Sequence, residues 1–436
     1  MTNSPLTTRI RDFLGNNQRW LIVALLFFVA AVNNLDRQTL SVLAPTLREN
    51  LGFGTVEYSY IVAAFLVAYT LGYTFCGSLI DRVGVKVGLA VALAFWSVAG
   101  MFHAAATGWI TLLICRFLLG IGESFNSPAG VKAISEWIPS RERGLSMAVF
   151  SNGNVLGAMI APPLISILTI TLGWRWAFII SGAVGLVLLV VWWKFYDSPE
   201  RHRTLRQPER EYILQQRPAA GVTSAPSSIW SLFLHPLCLS FFFVRLLTDS
   251  TTYFYAFWLP DYLTHSRGFS LALIGLVGWL PYLAADIGGP GGGAFSDWLV
   301  RKGWRPTSAR LGLMCGAACL MPLAGIAVRI ESAFFCVAII AILLGAQSCW
   351  MANQLTLISE SVSRENVTNL LALSAMGGSI GGIVSTLLTG HIVAHYGYVP
   401  VFTILGGVHL LAFGILMLGG GRALIWPDRR QESSTS

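Results

Sequence analysis

Residues 20–43 read WLIVALLFFVAAVNNLDRQTLSVL, an apolar run long enough to cross a bilayer, with Asp36 and Arg37 side by side near its end. At 1.5 Å rise per residue, Asp36 lies roughly 24 Å beyond Trp20, inside the hydrocarbon layer. An ionisable group there costs at least ~2.5–3.5 kcal/mol, so it usually faces a polar cavity and marks a transport or proton pathway. A second pair, Arg116 and Glu123, stands on a later apolar segment. Seven residues make two helical turns, which puts both side chains on one face. Charges hidden this way point to a transporter.

Composition agrees. Hydrophobic residues make up 54% of the chain and charged residues 11%, against ~25% charged in soluble domains. Spanning runs recur at 20–43, 57–79, 88–107, 109–135, 145–170 and 175–195, then at 237–263, 270–295, 309–328, 333–358, 367–390 and 399–420. The expected fold class is an all-α membrane protein, with twelve transmembrane helices in two pseudo-symmetric six-helix bundles. The expected division is a tail at 1–19, a bundle at 20–196, a linker at 197–235, a bundle at 236–420 and a tail at 421–436.

Charge sets the orientation. With both termini in the cytoplasm, 22 of the 29 Lys and Arg fall on the inner side. Four (Arg48, Arg175, Arg267, Arg329) fall outside and three (Arg37, Arg116, Arg245) deep within spans, as the positive-inside rule prefers. The net charge of +8 is therefore topological and gives no support to nucleic-acid binding. The polar head 1–18 and the long first run do not resemble a cleavable signal. All seven cysteines lie in spans as small buried residues, with no metal-ligand or disulfide frame around them.

The polar stretch Asp197–Ser228 divides the spans six and six, and within it Gln207–Gln216 is expected to form a short surface helix. No G-x-x-x-x-G-K-[ST] occurs, so ATP is not expected as the energy source, nor any cofactor. The halves repeat. Gly77-Ser-Leu-Ile-Asp81-Arg82-Val-Gly84-Val-Lys86 is echoed by Gly293-Ala-Phe-Ser-Asp297 with Arg301 and Lys302, and Ile134-Ser-Glu136 by Ile358-Ser-Glu360. Ser140-Arg141-Glu142 likewise returns as Ser363-Arg364-Glu365. Repeated bundles are the architecture of rocking secondary transporters, which hold substrate near the midplane.

The Gly77–Lys86 segment resembles the signature loop of the major facilitator superfamily, and Arg116-x-x-x-Gly120-x-Gly122-Glu123 resembles its fourth-helix motif. Four further strings are similar to the anion:cation symporter family, in its hexuronate-transporter-like branch. They are Asn34-Leu-Asp-Arg-Gln-Thr-Leu-Ser41, Gly173-Trp-Arg-Trp-Ala-Phe178, Phe257-Trp-Leu-Pro-Asp-Tyr262 and Ala284-Ala-Asp286. The resemblance covers roughly residues 20–420 and implies carboxylates beside arginine as the proton-coupling groups. One departure bears on the sugar: relatives in that branch often carry His-Gln ahead of the tenth-span Trp, where this chain has Gln347 and Ser348 before Trp350.

Burial favours a neutral carboxyl while an adjacent guanidinium favours a charged one, and these opposed pulls suit proton uptake and release at Asp36 and Glu123. The bland alternative is a permanent Asp–Arg or Glu–Arg lock between helices. Asp36 and Arg37 point about 100° apart, so Arg37 is expected to face the cavity and Asp36 a neighbouring helix. A planar guanidinium binds carboxylates bidentately, which assigns Arg37 to the substrate anion. Arg116 is expected to pair with Glu123 or touch substrate, and Arg245 to pair along its helix with Asp249. Sugar hydroxyls call for amides, hydroxyls and aromatic platforms: Tyr69, Asn154, Tyr253, Gln347, Trp350, Asn353 and Ser379 are the candidates, with helix–helix glue as their ordinary alternative. Glycines around Asn154 and Ser379 permit close helix approach. Trp192 and Trp193 are expected in an interfacial belt, and His391 and His395 facing solvent. Asp81, Arg82 and Asp297 are expected on inner loops as gating charges.

The resulting expectation is a proton-coupled symporter importing a small organic anion, best read as a hexuronate such as glucuronate or galacturonate, by alternating access. Its partners would be the anion, protons and the bilayer; the chain would work as a monomer in a bacterial inner membrane. Importers of an aldonate, aldarate or aromatic acid are the nearest rivals. An efflux pump, a transporter-like sensor and an enzyme have less behind them, because three buried arginines suit anions and no nucleophile–base pattern stands out.

Overall fold

The computed structural model describes residues 17–202, 204–215, 235–362 and 364–421. All regular structure among them is helical. The first half holds α1 (Gln18–Leu51), α2 (Thr55–Val83), α3 (Val85–Phe102), α4 (Trp109–Glu123), α5 (Asn126–Trp137), α6 (Arg143–Leu172) and α7 (Trp174–Phe195). A short α8 (Gln207–Gln215) precedes α9 (Pro236–Arg267), α10 (Leu271–Val277), α11 (Leu280–Arg301), α12 (Pro306–Leu320), α13 (Leu323–Ala327), α14 (Ala333–Ser361), α15 (Arg364–Tyr396) and α16 (Tyr398–Leu416). With the pairs α4–α5, α10–α11 and α12–α13 counted as single kinked spans, these make twelve membrane helices. Eleven are long and apolar enough to cross a membrane by composition alone. The twelfth is α9, 32 residues long, whose apolar character is diluted by Arg245, Thr248, Asp249, Ser250, Thr251 and Thr252.

A proline stands at or just past each of the three breaks. Pro128, Pro281 and Pro322 lack an N–H, and each ring crowds the carbonyl four residues earlier, at Ser124, Val277 and Ala318. Those are the places where the helices break, and a reading by hydrophobicity passes over them. The segment 109–135, expected as one continuous helix, therefore bends directly after Glu123.

Two compact units emerge among the described residues: 17–53 with 60–215 and 274–276, and 54–59 with 235–273 and 277–421. In the first, α1 packs along α6 and α3 along α7; in the second, α9 packs along α15 and α11 along α14. The same device seats both long pairs. A Cβ at Gly157 would overlap the carbonyl of Ala31 on α1, and a Cβ at Gly381 that of Leu246 on α9. Gly153 and Gly377, one turn earlier, stand equally close to the carbonyls of Phe27 and Phe242. These are small-xxx-small seams, where lost side chains allow backbones to touch. The turns after α6 and α15 also correspond: Gly173 and Gly397 have φ of 94° and 72°, a region that an L side chain avoids.

Two expectations change. The Gly77–Arg82 and Gly293–Arg301 segments are not loops but the last turns of α2 and α11, since no proline interrupts either segment. Trp192 is not in an interfacial belt. It is fully buried, donates to the Lys86 carbonyl at 3.1 Å and stacks on Tyr196 at 4.0 Å, while Trp193 is exposed. The expected short surface helix is present as α8, and it is tied down: Glu209 accepts from the backbone N–H groups of Gln18 (3.1 Å) and Arg19 (3.3 Å), satisfying two orphan donors at the start of α1. Arg19 completes the tie by pairing with Glu209 at 2.9 Å and with Glu142 at 2.8 Å. Ser363, part of the second-half repeat, the outer tails and most of the linker lie outside the described residues, as do the side chains of Arg364 and Glu365.

Candidate functional site

In the first unit, the charges predicted to matter converge from α1 and α4, against rings of α2. Arg37 Nε and Nη2 donate to the same oxygen of Glu123, at 3.3 and 3.2 Å. Glu123 is fully buried, and the Arg37 side chain is 24% exposed. The Arg37 guanidinium sits 4.8 Å from the ring centre of Tyr69 and 5.2 Å from that of Phe65, a cation–π platform on α2. The second oxygen of Glu123 has no hydrogen-bond partner among the described residues.

Arg116 does not form the expected ion pair with Glu123. The pair belongs to Arg37, while Arg116 Nη2 reaches toward the Arg37 carbonyl at 3.5 Å and its guanidinium lies 5.7 Å from the Phe65 ring. Two turns along α4 bring the two side chains to one face but leave them too far apart along the axis to meet. Asp36 turns away from Arg37, as their offset on the helix requires. It is 3% exposed, lies alongside Ser181 of α7, and neither of its oxygens has a donor in hydrogen-bond geometry among the described residues. Asn154 on α6 is half-buried, and its carbonyl accepts a short hydrogen bond from Asn34 Nδ2.

In the second unit, Arg245 and Asp249 form the expected pair along α9, with contacts of 2.7 and 2.9 Å. A Cβ at Gly378 on α15 would strike the Asp249 carboxylate, so the glycine makes room for the pair. Ser379 beside it is half-buried. The α14 candidates are all engaged inside the unit. Gln347 donates to the Thr248 carbonyl (3.1 Å) and to the Thr252 hydroxyl (2.9 Å), and Asn353 donates to the Cys349 carbonyl (2.9 Å). Trp350 is fully buried and donates to Gln354 at 3.0 Å. Tyr253 is half-buried, stacked near Phe257 with ring centres 6.2 Å apart.

A chain of twelve membrane helices, repeated halves and charges buried within them is matched over residues 26–362 by the profile of the Major Facilitator Superfamily. The chain belongs to that superfamily. It is a multi-pass membrane transporter and not an enzyme. Among its relatives, this superfamily member is 30% identical over 399 residues to the "Hexuronate transporter" of Escherichia coli (strain K12), covering 90% of this chain and 92% of that one. It is 33% identical over 307 residues to the "Probable galactarate/D-glucarate transporter GudP" of Bacillus subtilis (strain 168), covering 67% and 68%. A solved bacterial homolog of the human lysosomal transporter Spinster, in an inward-facing and unoccupied conformation, shares the fold: TM-score 0.72 at 17% identity, over 92% of this chain and 95% of that one.

Of the three charges assigned to gating in this major facilitator protein, the two aspartates are paired within their own units. Asp81 at the end of α2 meets Lys132 of α5 at 2.5 Å. Asp297 at the end of α11 meets Arg310 of α12 at 2.7 Å, and Arg310 also reaches Glu360 at 3.5 Å. Arg82 is exposed. Sequence reading named the aspartates and missed both cations, which lie on apolar helices that hydropathy counts as membrane interior. It also missed Phe65, although its spacing of four from Tyr69 would have placed both rings on one face. His409 passed unremarked in the last span.

Proposed function

We propose that this transporter imports a hexuronate or a closely related sugar acid together with protons. The observation that carries the reading is the pairing of Arg37 with Glu123. The partly exposed guanidinium has the planar donor fork that a sugar carboxylate fits, but Glu123 occupies it. A proton arriving on Glu123 would release the fork for the substrate carboxylate, so proton binding and anion binding become one event. Asp36, buried without a donor, suits a second proton-carrying position. The two carboxyls would titrate as a coupled set. Similarity to a hexuronate transporter over nine-tenths of the chain supports the substrate class.

The orientation proposed is both termini in the cytoplasm of a bacterial inner membrane, on the strength of the basic inner loops. Asn154, Tyr69, Tyr253 and Ser379 are proposed to read hydroxyls and the ring, and Gln347 to orient a hydroxyl that does. Trp350 and Asn353 are retained as proposed contacts from the same helix, although both side chains are engaged inside the unit. An aldarate is the second reading, favoured by the Bacillus relative. It ranks below because a dianion needs a second available cation, and Arg116 is 1% exposed.

Uptake of labelled glucuronate into proteoliposomes, with and without an inward proton gradient, tests the proposal in wild type and Glu123→Gln. Gradient-driven accumulation that falls to exchange in the variant is the expected result. Accumulation in Glu123→Gln equal to wild type would overturn the coupling role. Absence of glucuronate flux from folded protein, with flux of glucarate instead, would replace the substrate.

A further inference from the structure

Three helices of the second unit contribute to a buried polar chain whose hydrogen-bond polarity can be deduced. The Gln347 Nε2 group lies 3.1 Å from the Thr248 carbonyl. A carbonyl only accepts, so the amide must present its NH2 there and its oxygen on the opposite side. That oxygen meets His409 Nε2 of α16 in a short hydrogen bond. An amide oxygen only accepts as well, so His409 Nε2 must carry the hydrogen. The Trp350 ring, edge-on to the imidazole with centres 5.2 Å apart, holds the histidine in that pose.

The other NH2 hydrogen of Gln347 reaches Thr252 Oγ1 at 2.9 Å. A helical threonine ordinarily donates its hydroxyl to the carbonyl four residues earlier, as Thr248 does to Val244 at 3.0 Å. For Thr252 that carbonyl is Thr248, but the Thr252 hydroxyl makes no such bond: it accepts from Gln347, whose NH2 group only donates, and its own hydrogen has no acceptor among the described residues. Thr252 is exposed on α9. It lies two turns beyond Arg245 and so on the same stripe of the helix.

We infer that His409 is a positioning residue for substrate selection: it fixes the Gln347 amide so that the Thr252 hydroxyl is offered outward as a donor to an oxygen of the substrate. The ligand chemistry is a hydroxyl or carboxylate oxygen of a sugar acid, and in that respect the inference rests on the proposed function. His409 touches no substrate; without it the buried amide oxygen of Gln347 loses its donor, the Thr248 carbonyl alone holds the amide, and the polarity of the threonine is held less firmly. A site built on an oriented hydrogen bond discriminates between epimers more sharply than an apolar wall does.

The test has two arms in the full-length protein in lipid. In the first, labelled glucuronate uptake is competed with galacturonate, its epimer, in wild type, His409→Phe, His409→Gln and Thr252→Val. His409→Phe and Thr252→Val should raise KM about tenfold and narrow the epimer ratio with maximal rate within about twofold, and His409→Gln, which restores an N–H donor, should recover both. Unchanged KM and epimer ratio in both His409→Phe and Thr252→Val would overturn the inference. The second arm needs no substrate. Nitrogen NMR of histidine-labelled protein should show a hydrogen on His409 Nε2 that is perturbed by Gln347→Leu; a bare Nε2 would overturn it. If wild type moves no sugar acid, the proposed function fails, and the NMR arm still decides whether the oriented chain exists.

Discussion

Arg37 and Glu123, 86 residues apart in the chain, meet through two donors on a single carboxylate oxygen, at 3.3 and 3.2 Å. The bond joins the first and fourth membrane spans beside the Tyr69 and Phe65 rings. It leaves the other carboxylate oxygen without a partner among the described residues. An arrangement with one oxygen taken and one left can accept a proton without rearranging the helices around it.

Arg37→Lys should therefore be far from conservative. An ammonium keeps the charge but loses the planar fork and much of the ring stacking. Sugar-acid KM in proteoliposomes should rise by at least tenfold, while the protein remains folded by size-exclusion chromatography. Equal KM in the two proteins would remove Arg37 from the substrate site.

The glycine seams predict a contrasting pair of outcomes for the same chemical change. At Gly157 a Cβ overlaps the Ala31 carbonyl, so Gly157→Ala should destabilise by about 1–3 kcal/mol, the usual cost of overpacking. At Gly144, the second residue of α6, a Cβ meets nothing within 4 Å, and Gly144→Ala should be neutral or slightly stabilising. Thermal melts in detergent distinguish them; equal Tm shifts would mean that α1 and α6 are not in backbone contact.

Asp81→Asn removes the partner of Lys132 without touching the Arg37–Glu123 pair. Transport should slow severalfold while substrate affinity holds, and Asp297→Asn should behave alike by the symmetry of the repeats. A parallel binding and uptake assay checks this, and equal loss of both would assign Asp81 to binding instead of gating.

Glu142 gives a prediction in pH. Its hydrogen bond from Arg19 holds the carboxyl below its ordinary range, with a further bond from Tyr212 acting the same way. A group depressed by folding contributes stability that is present above its unfolded value, near 4.5, and is lost as pH falls through the folded value. Melting temperature should therefore drop below about pH 4.5, and Glu142→Gln should flatten part of that drop. The effect should be small, because the group is only partly buried. Identical acid profiles would show that the tie between Arg19 and Glu142 carries no weight.

Much of this organisation was legible in the chain. Long apolar runs, basic inner segments and the echo of Gly77–Lys86 in Gly293–Lys302 describe twelve helices in repeated halves before any coordinate is known. The intrahelical pair Arg245–Asp249 was readable because residues four apart must be neighbours on a helix. The bend after Glu123 was also available, in Pro128, but hydropathy averages over it. Lys132 and Arg310 were hidden for a related reason: a cation at the end of an apolar run reads as a membrane anchor until its carboxylate is seen.

By itself the sequence determined what the bilayer demands: helix number, approximate lengths, the cost of each buried charge and the glycines that allow helices to approach. These follow from local composition, because a lipid-exposed backbone must satisfy its own hydrogen bonds, and a helix does so within one apolar segment. Only the tertiary structure decided which charges meet. Arg116 shares a helix face with Glu123, yet Arg37 takes its carboxylate; Gln347 is oriented by His409 of a distant helix. Pairings of that kind depend on the rotation and axial offset of packed helices, which are set by contacts far apart in the chain and leave no mark in any one segment.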